Sequence, residues 1–215
     1  MEGIKDIPFG EPVLEYYDNL PTDSAIEPNK DTSSAVLILT VINFCLKSND
    51  SNRYPTTKHE KGKALEDLMA WIFDNIDGFS VDRNVQIKTG EIDIMILNEI
   101  INSPFWLNKG DNIPVECKNR KEGATEGVDS LNKFKTKAQE LKECKLGFFV
   151  STQGFSEKHI DTLASGEKYI VPIDDYRIKE LVQSEGERIN LLKKYLVEVS
   201  QKRDSLNQLK KRYKS

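Results

Sequence analysis

Three strand-like stretches follow one another in the middle of the chain, FSVDRNVQI (79–87), GEIDIMIL (90–97) and IPVECKN (113–119), and all three carry charge inside apolar runs. β-Branched and aromatic residues in short runs favour a pleated, half-buried surface. An ionised carboxylate in such a run is costly unless a cation or a set of donors meets it. The charges at Glu91, Asp93, Glu116 and Lys118 therefore constrain both the fold and its purpose.

Helical and extended periods alternate around these strands. Leu65, Leu68, Met69, Ile72 and Phe73 recur at helical spacing over 63–76, and Gly78 follows as a glycine cap should. After the three strands come a charged helix over 128–144, a strand at LGFFVST (146–152), a helix over 156–163, a strand at KYIVPI (168–173) and a helix over 174–183. Strands in succession and then strand alternating with helix predict an α/β core with a mixed sheet. Upstream, residues 1–31 hold eight acids against Lys5 and Lys30 and read as an acidic, irregular arm, while AVLILTVINFCL reads as a buried helix or a strand pair, with the N-cap residues at 31–34 favouring the helix. Downstream, residues 184–213 contain one glycine, no proline, and Ile189, Leu192, Leu196, Val199 and Leu206 at three-and-four spacing, which predicts one long helix with a basic end at Lys210, Lys211 and Arg212. The expected organisation is an arm and apolar helix over 1–60, a central domain over 61–183, and the terminal helix over 184–215.

Composition narrows the chemistry. With 38% hydrophobic and 31% charged residues, the chain has the balance of a soluble globular protein, neither disordered nor membrane-spanning. It lacks an apolar run of the roughly 18 residues that a bilayer span needs, and its first residues do not resemble a signal peptide, so a cytoplasmic location and no membrane partner are expected. Cys45, Cys117 and Cys144 have no CxxC spacing, and His59 and His159 are the only histidines, which argues against a disulfide framework, a zinc cluster and a histidine-rich metal site.

Side-chain alternation aims the charges. Positions two apart on a strand share a face, so Glu91 projects with Asp93, and Glu116 with Lys118, while Val115 and Cys117 turn the other way. Adjacent strands would gather Asp93, Glu116 and Lys118 into one cluster. Oxygen donors of this kind suit a hard cation such as Mg²⁺, which takes one or two protein carboxylates, and a lysine beside it can orient attacking water or stabilise charge developing on a phosphate. Glu91 also has an ordinary reading, a pairing with Lys88.

The order of a helix glutamate in KGKALEDL, then GEID, then VECK resembles the PD-(D/E)xK nuclease superfamily. GEIDIMI, PVECKN and LGFFVSTQGFS look like its Mrr-like restriction endonuclease branch, and archaeal Holliday-junction resolvases share the motif order. The resemblance covers 61–183 and implies a restriction-endonuclease-like core: a central mixed β-sheet flanked by helices, with an N-terminal extension and a long C-terminal helix as additions. It implies that Asp93, Glu116, the Cys117 backbone carbonyl and Glu66 hold the metal, that Lys118 is the catalytic lysine, and that Mg²⁺ is the cofactor, with Mn²⁺ able to substitute. Lys133, Lys135, Lys137 and Gln139, on the helix after the motif, sit where family members contact phosphate. The spacer of twenty-two residues between Asp93 and Glu116 exceeds what a tight hairpin needs.

Three functions follow as expectations. The first is a metal-dependent DNA endonuclease, in a restriction or anti-phage defence setting. The second is a structure-specific resolvase for branched DNA, and the third a nuclease-like module that binds DNA or protein without cutting. The intact Asp93, Glu116 and Lys118 set argues against the third. DNA is the expected partner, and the terminal helix is expected either to pack back on the core or to join two copies, or one copy and a different subunit of a defence complex.

Overall fold

A computed structural model describes residues 58–120, 128–152, 155 and 168–212, with side chains of the last helix described up to residue 202. The acidic arm, the apolar helix expected after it and the helix expected over 156–163 lie outside the described residues. Helix α1 (Lys58–Asp74) leads into strands β1 (Phe79–Ile87) and β2 (Gly90–Asn98). The short helix α2 (Pro104–Leu107), strand β3 (Asn112–Lys118) and helix α3 (Val128–Glu140) follow. The described chain closes with β4 (Leu146–Ser151), β5 (Tyr169–Ile173), α4 (Asp175–Gln183) and α5 (Arg188–Arg212).

The five strands form one sheet in the order β1-β2-β3-β4-β5. β1, β2 and β3 pair antiparallel, whereas β3, β4 and β5 pair parallel. This is the mixed sheet that the element pattern predicts. One face carries the main core, where α1 supplies Leu65, Met69, Ile72 and Phe73, and α5 supplies Leu192, Tyr195 and Leu196, against Ile94, Ile96, Val115, Phe148 and Val171. α3 covers the other face with Leu131, Phe134 and Ala138 against Phe149 and Ile170. β4, buried at every position, has the continuous apolar run expected of a strand covered on both faces.

Several boundaries differ from expectation. α3 stops at Glu140 because Lys168, from a segment remote in sequence, donates to the Ala138 and Leu141 carbonyls at 2.6 Å each and closes the last turn. The terminal helix is interrupted near its start: Glu185–Glu187 is a tight 3-10 turn, and the α-helix proper spans 25 residues, about 37 Å at the usual rise. Leu192, Tyr195 and Leu196 pack back onto the core, so this part of the helix is a structural element of the domain. The long spacer between β2 and β3 is absorbed by α2, which buries Trp106. Asn98 ties the excursion down, its side-chain amide donating to the carbonyls of Trp106 at 2.9 Å and Gly110 at 3.1 Å. Gly110 has φ +88, and a Cβ there would lie 1.8 Å from the Glu143 carbonyl oxygen, so only glycine fits. No helix among the described residues is long and apolar enough to cross a membrane.

Candidate active site

β2 and β3 pair from Leu97 and Asn112 to Ile94 and Val115, and there the ladder ends. One residue farther along each strand lie Asp93 and Glu116. β3 continues beside β4, with Glu116 opposite Phe149 and Lys118 opposite Ser151. The Lys118 carbonyl accepts from the Thr152 N–H at 3.2 Å, so the polar backbone groups of Lys118 serve the β4 side. Alternation then turns those of Cys117 towards β2. The Cys117 N–H meets the Asp93 side chain there, donating to Oδ2 at 2.7 Å. The same alternation places the Cys117 carbonyl on the β2 side. The Cys117 thiol faces the core, and burial pushes its pKa well up, away from nucleophilic use.

The fork thus gathers the three residues expected there. Lys118 Nζ lies 2.6 Å from Glu116 Oε1 and 3.9 Å from Asp93 Oδ2. Burial raises the pKa of Asp93, and repulsion from Glu116 raises it further, against the Cys117 N–H and Lys118. Burial opposes the charge on Lys118, but attraction to Glu116 and Asp93 outweighs it and holds the ammonium above its ordinary pKa. Glu66, half-buried on α1, is within electrostatic reach of both. Its pKa is raised to about 7, first by burial and then by Asp93 and Asp67.

Other residues hold this arrangement in place. The fully buried Leu65 and Met69 seat α1 on the sheet, and Asp67, itself buried, pairs with Arg83 of β1 and fixes the helix about its axis beside Glu66. Thr152, buried at the end of β4, accepts from the Arg120 N–H at 2.9 Å and donates from its hydroxyl to Asn119 Oδ1 at 3.1 Å, which pins the chain just after Lys118. Asn84 has φ 53. It stands between Arg83, paired with Ile94, and Val85, paired with Ile92, and so opposite Asp93. A left-handed residue beside a site carboxylate is the kind of local strain that functional positions carry, and asparagine tolerates it better than most. None of Asp67, Arg83, Asn84 or Thr152 was singled out from sequence; the Asn84 turn and the Thr152 hydroxyl depend on distant segments and leave no local signature.

The remaining candidates divide. Glu91 is exposed and accepts from the Gln86 amide across the β1–β2 pair at 2.5 Å, so its partner is Gln86 and not Lys88. On α3 the buried stripe of Leu131, Phe134 and Ala138 separates two sides. At 100° per residue Lys133 and Lys137 fall on one side, Lys135 and Gln139 on the other. Lys133 and Gln139 are exposed, whereas the Lys137 side chain is only 17% exposed and sits 2.8 Å from Glu116 Oε2.

Among the described residues no three His, Cys, Asp or Glu side chains stand together as a ready-made metal cluster. The donor chemistry nevertheless fits a hard divalent cation. Asp93 and Glu116 present carboxylate oxygens from neighbouring strands, Glu66 stands close by, and the Asp93–Glu116 repulsion is of the kind that a bound cation relieves.

Residues 57–182 match the Mrr catalytic domain family, described as restriction endonuclease. No curated protein matches the chain. Among solved structures it is similar to the small subunit of the heterodimeric restriction endonuclease R.BspD6I, at 15% identity and TM-score 0.49, covering 79% of this chain and 94% of that one. It is also similar to the DNA modification-dependent restriction endonuclease AspBHI, at 15% identity and TM-score 0.43, covering 85% of this chain and 44% of that one. The third similarity is to the MspJI restriction endonuclease in complex with a 27-mer oligonucleotide, at 15% identity and TM-score 0.42, covering 85% and 39%. The chain spans less than half the length of the last two.

Proposed function

Because the chain belongs to the Mrr-type restriction endonuclease family, we propose that it is a Mg²⁺-dependent DNA endonuclease, cutting phosphodiester bonds in a restriction or anti-phage defence setting. The observation that carries this reading is the convergence of Asp93, Glu116 and Lys118 at the point where β2 and β3 part, with Lys118 bridging the two carboxylates at 2.6 and 3.9 Å. Asp93, Glu116, the Cys117 carbonyl and Glu66 would hold the cation. When bound, it would supply Lewis-acid activation of water and of the scissile phosphate.

The protein's own groups have separate tasks. Asp93 is oriented by the Cys117 N–H, so its second oxygen is set by the strand backbone and not by a free rotamer. Lys118 is kept charged by its carboxylate neighbours, which suits it to stabilise negative charge as the phosphate is attacked. Glu66, whose pKa burial, Asp93 and Asp67 raise to about 7, would add an oxygen donor from α1 to those of the strands. Lys133 and Lys135, on opposite sides of α3, are offered to backbone phosphates, and Gln139 to sugar or phosphate oxygens. The terminal helix beyond its packed part is offered to a second copy or a second subunit, through which both DNA strands could be cut.

A cleavage assay with the full chain on linear, circular, branched and single-stranded DNA, with Mg²⁺ and then with EDTA, tests this reading. Cleavage of duplex DNA that EDTA stops and Mg²⁺ or Mn²⁺ restores is the expected result. Activity confined to branched DNA would make the protein a resolvase, and intact DNA under every condition would leave a binding module.

A further inference from the structure

Lys137 is placed unlike a lysine that contacts DNA from a solvated helix face. Its side chain is 17% exposed, and its ammonium sits 2.8 Å from Glu116 Oε2, while Lys118 sits 2.6 Å from Oε1 of the same carboxylate. Both oxygens of the best-buried acid at the fork therefore face ammonium groups, one from the strand of the ExK motif and one from the helix behind it. Delivery is structural. The β1–β2 turn is held on the last turn of α3, where Glu140 accepts from the Thr89 N–H at 3.0 Å and from its hydroxyl. Glu140 lies three residues from Lys137 and so on the same side of the helix. The Lys137 stem passes Gly90, the first residue of GEID, where a Cβ would stand 3.8 Å from Lys137 Cε.

The geometry points to Lys137 as an internal counter-ion of the nuclease site: its ammonium on Glu116 Oε2 competes with a divalent cation for that carboxylate, and DNA phosphate is the partner that draws it away. The inference rests on the nuclease reading above and adds a regulation to it. A cation arriving alone must displace a partly buried ion pair, whereas one arriving with DNA finds Lys137 an alternative anion. Metal and DNA affinities are then coupled, and by linkage each strengthens the other.

The test is direct titration of Mn²⁺ by calorimetry, onto the full chain alone and onto its complex with a duplex, for the unaltered protein and for Lys137→Met, which keeps the stem. Lys142→Met removes an exposed charge elsewhere on the same segment and serves as the control. Expected is Mn²⁺ affinity about tenfold tighter in Lys137→Met without DNA, the scale of coupling within a charge network, no change in Lys142→Met, and a smaller gain on adding DNA than the unaltered protein shows. Equal Mn²⁺ affinity in Lys137→Met and the unaltered protein would overturn the inference, as would weaker binding. Should Lys137→Met not fold, the carbon resonance of Lys137 Cε in the unaltered chain reads the same exchange: it should move on Mn²⁺-free Mg²⁺ addition while that of Lys142 does not, and a fixed signal would overturn the proposal. Failure of the nuclease reading looks different, because Glu116→Ala would then bind Mn²⁺ as well as the unaltered protein does.

Discussion

At one end of the β2–β3 pair Ile96 stands opposite Ile113, both fully buried, and the pairing is carried on to Asn98, whose N–H donates to the Asp111 carbonyl at 2.8 Å. At the other end the ladder stops after Ile94 and Val115, and the next residues are Asp93 and Glu116. The two ends share strands, neighbours and register, yet one gains stability from burial whereas the other gathers carboxylates whose pKa values are pushed up or which two lysines must hold. Burial of that kind is poor evidence for a stabilising role, since removing a charge from water offsets much of the gain from pairing it. The apolar end builds the platform, and on the proposed nuclease reading the charged end serves chemistry that the platform positions.

The largest expected effect separates the two ends by activity. Glu116→Ala and Lys118→Ala should each lower cleavage by about a thousandfold or more, the scale for losing a group that stabilises a transition state. Far-ultraviolet circular dichroism should remain that of the folded protein. Cleavage by either variant at the unaltered rate would remove the fork from the mechanism.

Stability should separate them the other way. Ile96 is fully buried, so Ile96→Ala should cost about 2–5 kcal/mol in urea unfolding, through lost transfer energy and an incompletely closed cavity. A loss below about 1 kcal/mol would mean that the apolar end is not the platform described.

A pH dependence sharpens the contrast. The folded pKa of Glu66 lies at about 7, above its model-compound value of 4.5. A raised folded pKa favours the protonated, folded form, so this contribution is present in full below pH 4.5 and is lost as pH rises through 7. The metal-free protein should lose about 1–2 kcal/mol across that window, a figure reduced for the partial exposure of the group. Glu66→Gln should flatten the profile and exceed the unaltered protein in stability at pH 8. Identical profiles for the two proteins would place Glu66 in solvent.

The smallest effect concerns Asn84. Asn84→Gly should change stability by less than about 1 kcal/mol, because glycine adopts the left-handed conformation freely and loses more entropy on folding. A loss larger than about 2 kcal/mol would show that the Asn84 side chain, and not its backbone, supports the strand opposite Asp93.

The strands of this core are legible in the sequence because alternation and β-branching are local properties, and Asp93, Glu116 and Lys118 fall on one side for the same reason. Their convergence also needed the antiparallel pairing of β2 with β3, which the twenty-two-residue spacer obscured until α2 and Asn98 were seen to close it. The early end of α3 was hidden because its cap, Lys168, comes from another part of the chain. Lys137 is instructive in another way. The helical phase relative to Leu131, Phe134 and Ala138 already separates it from Lys135 and Gln139, but its pairing with Glu116 depends on how closely α3 rides over β3, a packing distance that no periodicity records.

Asp93→Asn isolates the central claim, that charge at the fork serves catalysis and not folding, because the amide oxygen can still accept from the Cys117 N–H that Asp93 now meets at 2.7 Å. Cleavage and the unfolding midpoint should be measured on the same preparation. The expected result is activity lowered by about a thousandfold with a midpoint unchanged or raised, since a carboxylate repelled by Glu116 has been neutralised. Activity at the unaltered level, or a midpoint that falls as far as that of Ile96→Ala, would contradict it.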